Sequence, residues 1–86
     1  MGKDKEIQLI IPENQEVILI YKRSEKCKNP WGEGDAFKIF TDKGWFITTS
    51  RMLISKFISL NIYPGVRFSL TKIKGRGYTK YLVKRL

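Results

Sequence analysis

The chain has 86 residues, 42% of them hydrophobic, which is enough apolar material for one folded domain and too much for a disordered one. Its formal charge of +9 is unevenly spread: residues 1–42 carry seven basic and eight acidic side chains, whereas Lys43 to Leu86 carry ten basic and none acidic. With no histidine and a single cysteine, Cys27, an intramolecular disulfide is excluded and no familiar zinc site can be built.

Residues 1–14 read as an N-terminal tail or an extra strand. The start, MGKDKEIQ, is charged and has no apolar core of signal-peptide length, and Glu6 stands where a myristoylation motif needs Ser or Thr. The longest aliphatic run, Val17–Ile20, is too short to span a bilayer, so a cytoplasmic protein with no membrane partner is expected. Ile7–Ile11 has strand character and breaks at Pro12; it either pairs separately or extends the next strand. Val17–Tyr21 is a continuous β-branched and aliphatic run, the mark of a central strand.

Lys22–Glu33 contains four Lys or Arg, an Asn-Pro pair, Trp31 and Gly32, and is expected to be a long loop. Trp31 is either a binding platform or a lid folded back on the core. Gly34–Thr49 reads as a β-hairpin. A three-residue loop with Gly44 closing the turn would pair Phe40 with Phe46 and Lys38 with Thr48. Phe37, Ile39 and Ile47 would then face the core, and Lys38, Phe40, Phe46 and Thr48 would face out. A two-residue loop would put Trp45 in the place of Phe46.

Ser50–Asn61 has Met52, Leu53, Phe57, Leu60 and in part Ile54 at helical spacing, with Ser50 as N-cap and Asn61 at the exit, which predicts a short amphipathic helix. Tyr63-Pro64-Gly65 is a turn. Val66, Phe68 and Leu70 then alternate with polar residues in a strand, Lys74-Gly75-Arg76-Gly77 makes a tight basic turn, and Tyr78–Leu86 is the closing strand.

Three strands, a helix between the third and fourth, and two more strands resemble the layout of single-domain OB-fold single-stranded nucleic-acid-binding proteins. The resemblance covers about residues 15–86 and rests on the first strand, the hairpin around TDKG, the helix SRMLISKFISLN and the turn YPG before VRFSL. It implies an all-β fold with one short helix, built as a five-stranded Greek-key barrel, within the single domain of residues 1–86 that the chain length indicates. It also implies that ligand meets the face of strands two and three and the loops joining strands 1–2 and 4–5.

Single-strand binding requires cations that follow phosphates and flat rings on which bases stack. Phe40, Phe46 and Trp31 are the candidate platforms, with Tyr78 beside them. Lys22, Lys28, Lys38, Lys74, Arg76 and Lys80 are the candidate phosphate contacts, and Thr48 shares the expected outer face. The expected partner is single-stranded DNA ahead of RNA, as in replication, with homodimerisation open and no cofactor or metal. A protein-assembly module is the expectation from a different class. Catalysis has no footing: there is no G-x-S-x-G elbow, and a hairpin turn explains both glycines of Gly75-Arg76-Gly77.

Overall fold

β1, Glu16–Lys28, is the longest strand and serves two neighbours in turn. In this computed structural model, which describes residues 7–86, its first part (Glu16–Ile20) pairs antiparallel with β4, Arg67–Gly75. Its second part (Arg23–Lys28) pairs with β2, Asp35–Thr41. The register shifts between Tyr21 and Arg23, so Lys22 is an extra residue of the kind that bends a strand and increases its twist. This corrects the expected loop at 22–33. Residues 22–28 are strand, and only 29–34 connect β1 to β2. The stretch hides its nature because all but Cys27 in Lys22–Lys28 are exposed, so no apolar alternation marks it. Backbone pairing to β2 holds it, helped by an ion pair of 3.2 Å between Lys26 and Asp35.

β3 (Gly44–Thr48) pairs with β2, and β5 (Tyr78–Arg85) pairs with β4, giving one antiparallel sheet in the order β3-β2-β1-β4-β5. The protein is all-β with one helix between the third and fourth strands, as expected. The sheet is not closed: among the described residues no ladder joins β3 to β5.

The helix, α1 (Arg51–Ser59), begins and ends on the expected residues. Ser50 Oγ accepts from the Leu53 amide at 3.2 Å, satisfying a donor that the first turn leaves unpaired. At the exit Asn61 adopts φ 54°, the Ile62 amide donates to the Phe57 carbonyl and the Asn61 amide to that of Ile58. That is a Schellman close, and Ile62 is buried behind it. Leu53 and Phe57 face the sheet, Phe57 meeting Tyr21 and Phe68 edge to face. Met52, expected in the apolar stripe, is instead 76% exposed, because it lies on the turn facing away from Leu53 and Phe57.

The core is Leu19 from β1, Ile39 from β2, Phe46 from β3, Leu53 and Phe57 from α1, and Phe68 and Leu70 from β4. Each such side chain fully buried contributes about 1.5–3 kcal/mol. Ile11 joins them from the N-terminal segment, which pairs separately from β1. Leu9 donates its amide to the Trp45 carbonyl and Trp45 donates to Ile7, so residues 7–9 run parallel along the free edge of β3. Gly44 makes this approach possible. It sits at φ +134°, and a Cβ there would collide with the Ile7 carbonyl and the Leu9 side chain.

Candidate nucleic-acid interface

The β2–β3 hairpin closes through a two-residue turn, Asp42-Lys43, with Thr41 opposite Gly44. Its tip is tied to β1: the Ile20 amide donates to Asp42 Oδ1 at 2.8 Å, and Lys43 Nζ donates to the Ile18 carbonyl at 2.9 Å. Phe40 therefore pairs with Trp45, Lys38 with Ile47, Ile39 with Phe46 and Phe37 with Thr48. The expected three-residue register is corrected by one position on β3. Phe46 and Thr48 are buried on the core side, while Trp45 and Ile47 take the outer face.

Lys38 and Phe40 do lie on the outer face, but their groups are engaged with one another. The Arg23 guanidinium sits 3.7 Å from the Phe40 ring centroid, and Lys38 Nζ lies 4.2 Å from the Trp45 ring and 5.2 Å from that of Phe40. Phe40 is only 4% exposed. Cations stacked on ring faces gain about 0.5–1 kcal/mol each at exposed sites. Here they also cover the ring that was expected to be a platform.

The β1–β2 connection is stitched by Asn29. Its side-chain oxygen accepts from the Trp31 amide at 2.9 Å, its amide nitrogen donates to the Glu33 carbonyl at 3.3 Å, and its backbone N–H donates to Gly34. This Asx-type closure holds the loop while leaving the Trp31 ring 68% exposed. Lys28 is exposed at the base of that loop and Lys22 at the β1 bulge. At the β4–β5 end, Arg76-Gly77 forms the turn, with Gly75 opposite Tyr78. The Tyr78 ring lies across Gly75, where a Cβ would meet it, and still keeps over half its surface in water. Arg76 and Lys80 are exposed, and Lys74 pairs with Glu13 at 3.6 Å.

Between β3 and β5, where the sheet stays open, lies a cleft of about 360 Å³. Trp31 reaches into its lining from the first loop, the N-terminal segment forms one wall, and Lys72, Thr79 and Tyr81 come from β4 and β5. Burial raises the Tyr81 phenol above its usual pKa, and a side-chain hydrogen bond with Thr48 offsets part of that. At neutral pH it is a neutral hydrogen-bonding group. Of the expected site residues, the cleft gathers Trp31, Phe46 and Thr48, while Lys38 and Phe40 stand on the outer face. Lys72 and Tyr81 were missed. Lys72 shares the alternation of Phe68 and Leu70, which was the available signal of its inward side.

Among the described residues no three of His, Cys, Asp and Glu gather to hold a metal ion, and no helix is long and apolar enough to cross a membrane. Comparison with known proteins finds no matching family model, no matching curated protein and no matching solved structure.

Proposed function

We propose that this protein binds single-stranded nucleic acid, DNA ahead of RNA, with little sequence preference and without catalysis. The observation that carries this reading is the field of ten cations, with no acidic side chain among them, in the second half of the chain. Of the ten Lys and Arg from Lys43 onward, only Lys74 has a carboxylate of the described residues within ion-pairing distance. Holding that much like charge in one small domain costs stability, and a polyanion relieves it by releasing its own counterions. The strand order, with a helix between β3 and β4, supports an OB-like Greek-key barrel opened between β3 and β5. On that reading the loops at 29–34 and 76–77 flank the bound strand. Lys22, Lys28, Arg76 and Lys80 contact phosphates, and Trp31 and Tyr78 offer rings.

The test is fluorescence anisotropy of labelled oligo-dT, oligo-rU and a duplex, each at low and moderate salt. Single strands should bind ahead of duplex, with affinity falling as salt rises, and oligo-dT should bind ahead of oligo-rU. Absence of binding at low salt overturns the reading. A second reading, a protein-assembly module, draws on the exposed apolar side chains of α1, Met52 and Ile58. It predicts that a Met52→Ser, Ile58→Ser double variant loses a protein partner while oligonucleotide affinity is unchanged.

A further inference from the structure

The cleft between β3 and β5 differs chemically from the outer face of β2–β3. Among the described residues its lining contains no carboxylate, one lysine, several hydroxyls and the amide of Gln8, over a floor that includes Phe46. Lys72 is half-buried on the core side of β4, beyond Leu70, and forms no ion pair among the described residues. The Trp31 ring stands at the mouth with most of its surface in water. A half-buried cation and an exposed aromatic ring lining one cleft with hydroxyl groups suit a ligand that is flat at one end and anionic at the other.

We propose that this cleft takes one unstacked nucleotide of the bound strand, its base against Trp31 and its phosphate on Lys72. The inference rests on the single-strand reading above and moves the base site from the outer face of β2–β3 to the open seam of the sheet. Size supports it. About 360 Å³ sits at the lower end of the roughly 300–1,000 Å³ typical of small-ligand pockets, room for one nucleotide and not for a folded segment. An extended peptide is a poorer fit, because the β3 edge is already paired at Trp45 with Ile7 and Leu9. The exposed Thr79 hydroxyl and the Gln8 amide can pair with base edges of any kind, while the Thr48 and Tyr81 hydroxyls bond to one another and Thr48 also accepts from the Ser50 amide. Stacking on an indole face is equally tolerant of base identity.

The test uses the full chain in two formats. In a Trp45→Phe background Trp31 is the sole tryptophan, and titration with thymidine 5′-monophosphate should quench its emission. Adding Lys72→Met, which keeps the aliphatic stem, should weaken that quenching several-fold. In parallel, anisotropy with a dT12 oligonucleotide should show Trp31→Ala binding about tenfold more weakly than wild type. Lys72→Met should lower the slope of log affinity against log salt by about one. Both side chains can be cut without emptying the core, so circular dichroism should match wild type. If wild type binds dT12 with the expected salt dependence but both variants bind equally well, the cleft is not the site and the general reading stands. If wild type does not bind dT12 at low salt, the general reading and the cleft fall together.

Discussion

The outer face of β2–β3 and the cleft between β3 and β5 hold the same kinds of side chain in opposite states. On the outer face, Arg23 and Lys38 lie over Phe40 and Trp45, and Phe40 is nearly removed from water. In the cleft, Trp31 is exposed and Lys72 forms no ion pair among the described residues, Glu13 across the bridge from it pairing with Lys74 instead. Aromatic residues interleaved with cations therefore do not by themselves mark a nucleic-acid platform, because the two groups can satisfy one another. What separates a ligand site from a self-sealed surface is what each group already touches.

The comparison breaks first at Phe40. If it is structural, Phe40→Ala should cost about 3–5 kcal/mol in urea unfolding, as for other buried phenylalanines. A near-neutral Phe40→Ala that loses oligonucleotide affinity would return the platform to the outer face. Gly44→Ala comes next. A side chain at φ +134° against Ile7 and Leu9 should cost on the order of 1–3 kcal/mol and detach the N-terminal segment from the β3 edge. Faster exchange of the Leu9 and Trp45 amide hydrogens would report it.

Smaller effects sharpen the contrast. Lys38→Met keeps the packing and removes the cation shared by two rings, so a loss of about 0.5–1 kcal/mol is expected, with little change in oligonucleotide affinity. Trp31→Ala should leave stability within about 0.5 kcal/mol of wild type, because the ring is mostly solvated. Last is Tyr81. Burial raises its pKa, so the native state holds the phenolic proton more tightly than the unfolded chain does. Its contribution is fully present below the ordinary tyrosine value of about 10 and is lost as pH rises through the higher folded value. The wild-type urea midpoint relative to that of Tyr81→Phe should therefore be flat from pH 6 to 9 and fall above that.

Much of the architecture was legible because its signals are local. Ser50 and Asn61 bracket the helix, the Val66 amide closes the Tyr63-Pro64-Gly65 turn by donating to Tyr63, and Phe68 and Leu70 mark one face of β4. What was misread depends on distant contacts. Both hairpin registers place Gly44 at a left-handed position, and the backbone of residues 7–9 lies against it in the one adopted. Lys22–Lys28 looked like a loop because its strand character comes from β2 rather than from its own side chains. The site was legible in part. Trp31 stood out by composition, but the cleft brings residues 8, 31, 48, 72 and 81 together across the whole chain, and no sequence spacing encodes that meeting.

The change of partner at the β1 bulge also sets the order in which the sheet can be assembled. The β1–β2, β2–β3 and β4–β5 ladders each join neighbours in sequence, whereas pairing Glu16 with Thr71 must bring together segments from opposite ends of the chain. Closing so large a loop costs entropy before any contact rewards it, which slows folding. The meander and the last hairpin should therefore form as separate local units, with the first half of β1 joining them late. Truncating Ile39 should then slow folding, while truncating Leu19, which pairs across the distant ladder, should chiefly speed unfolding.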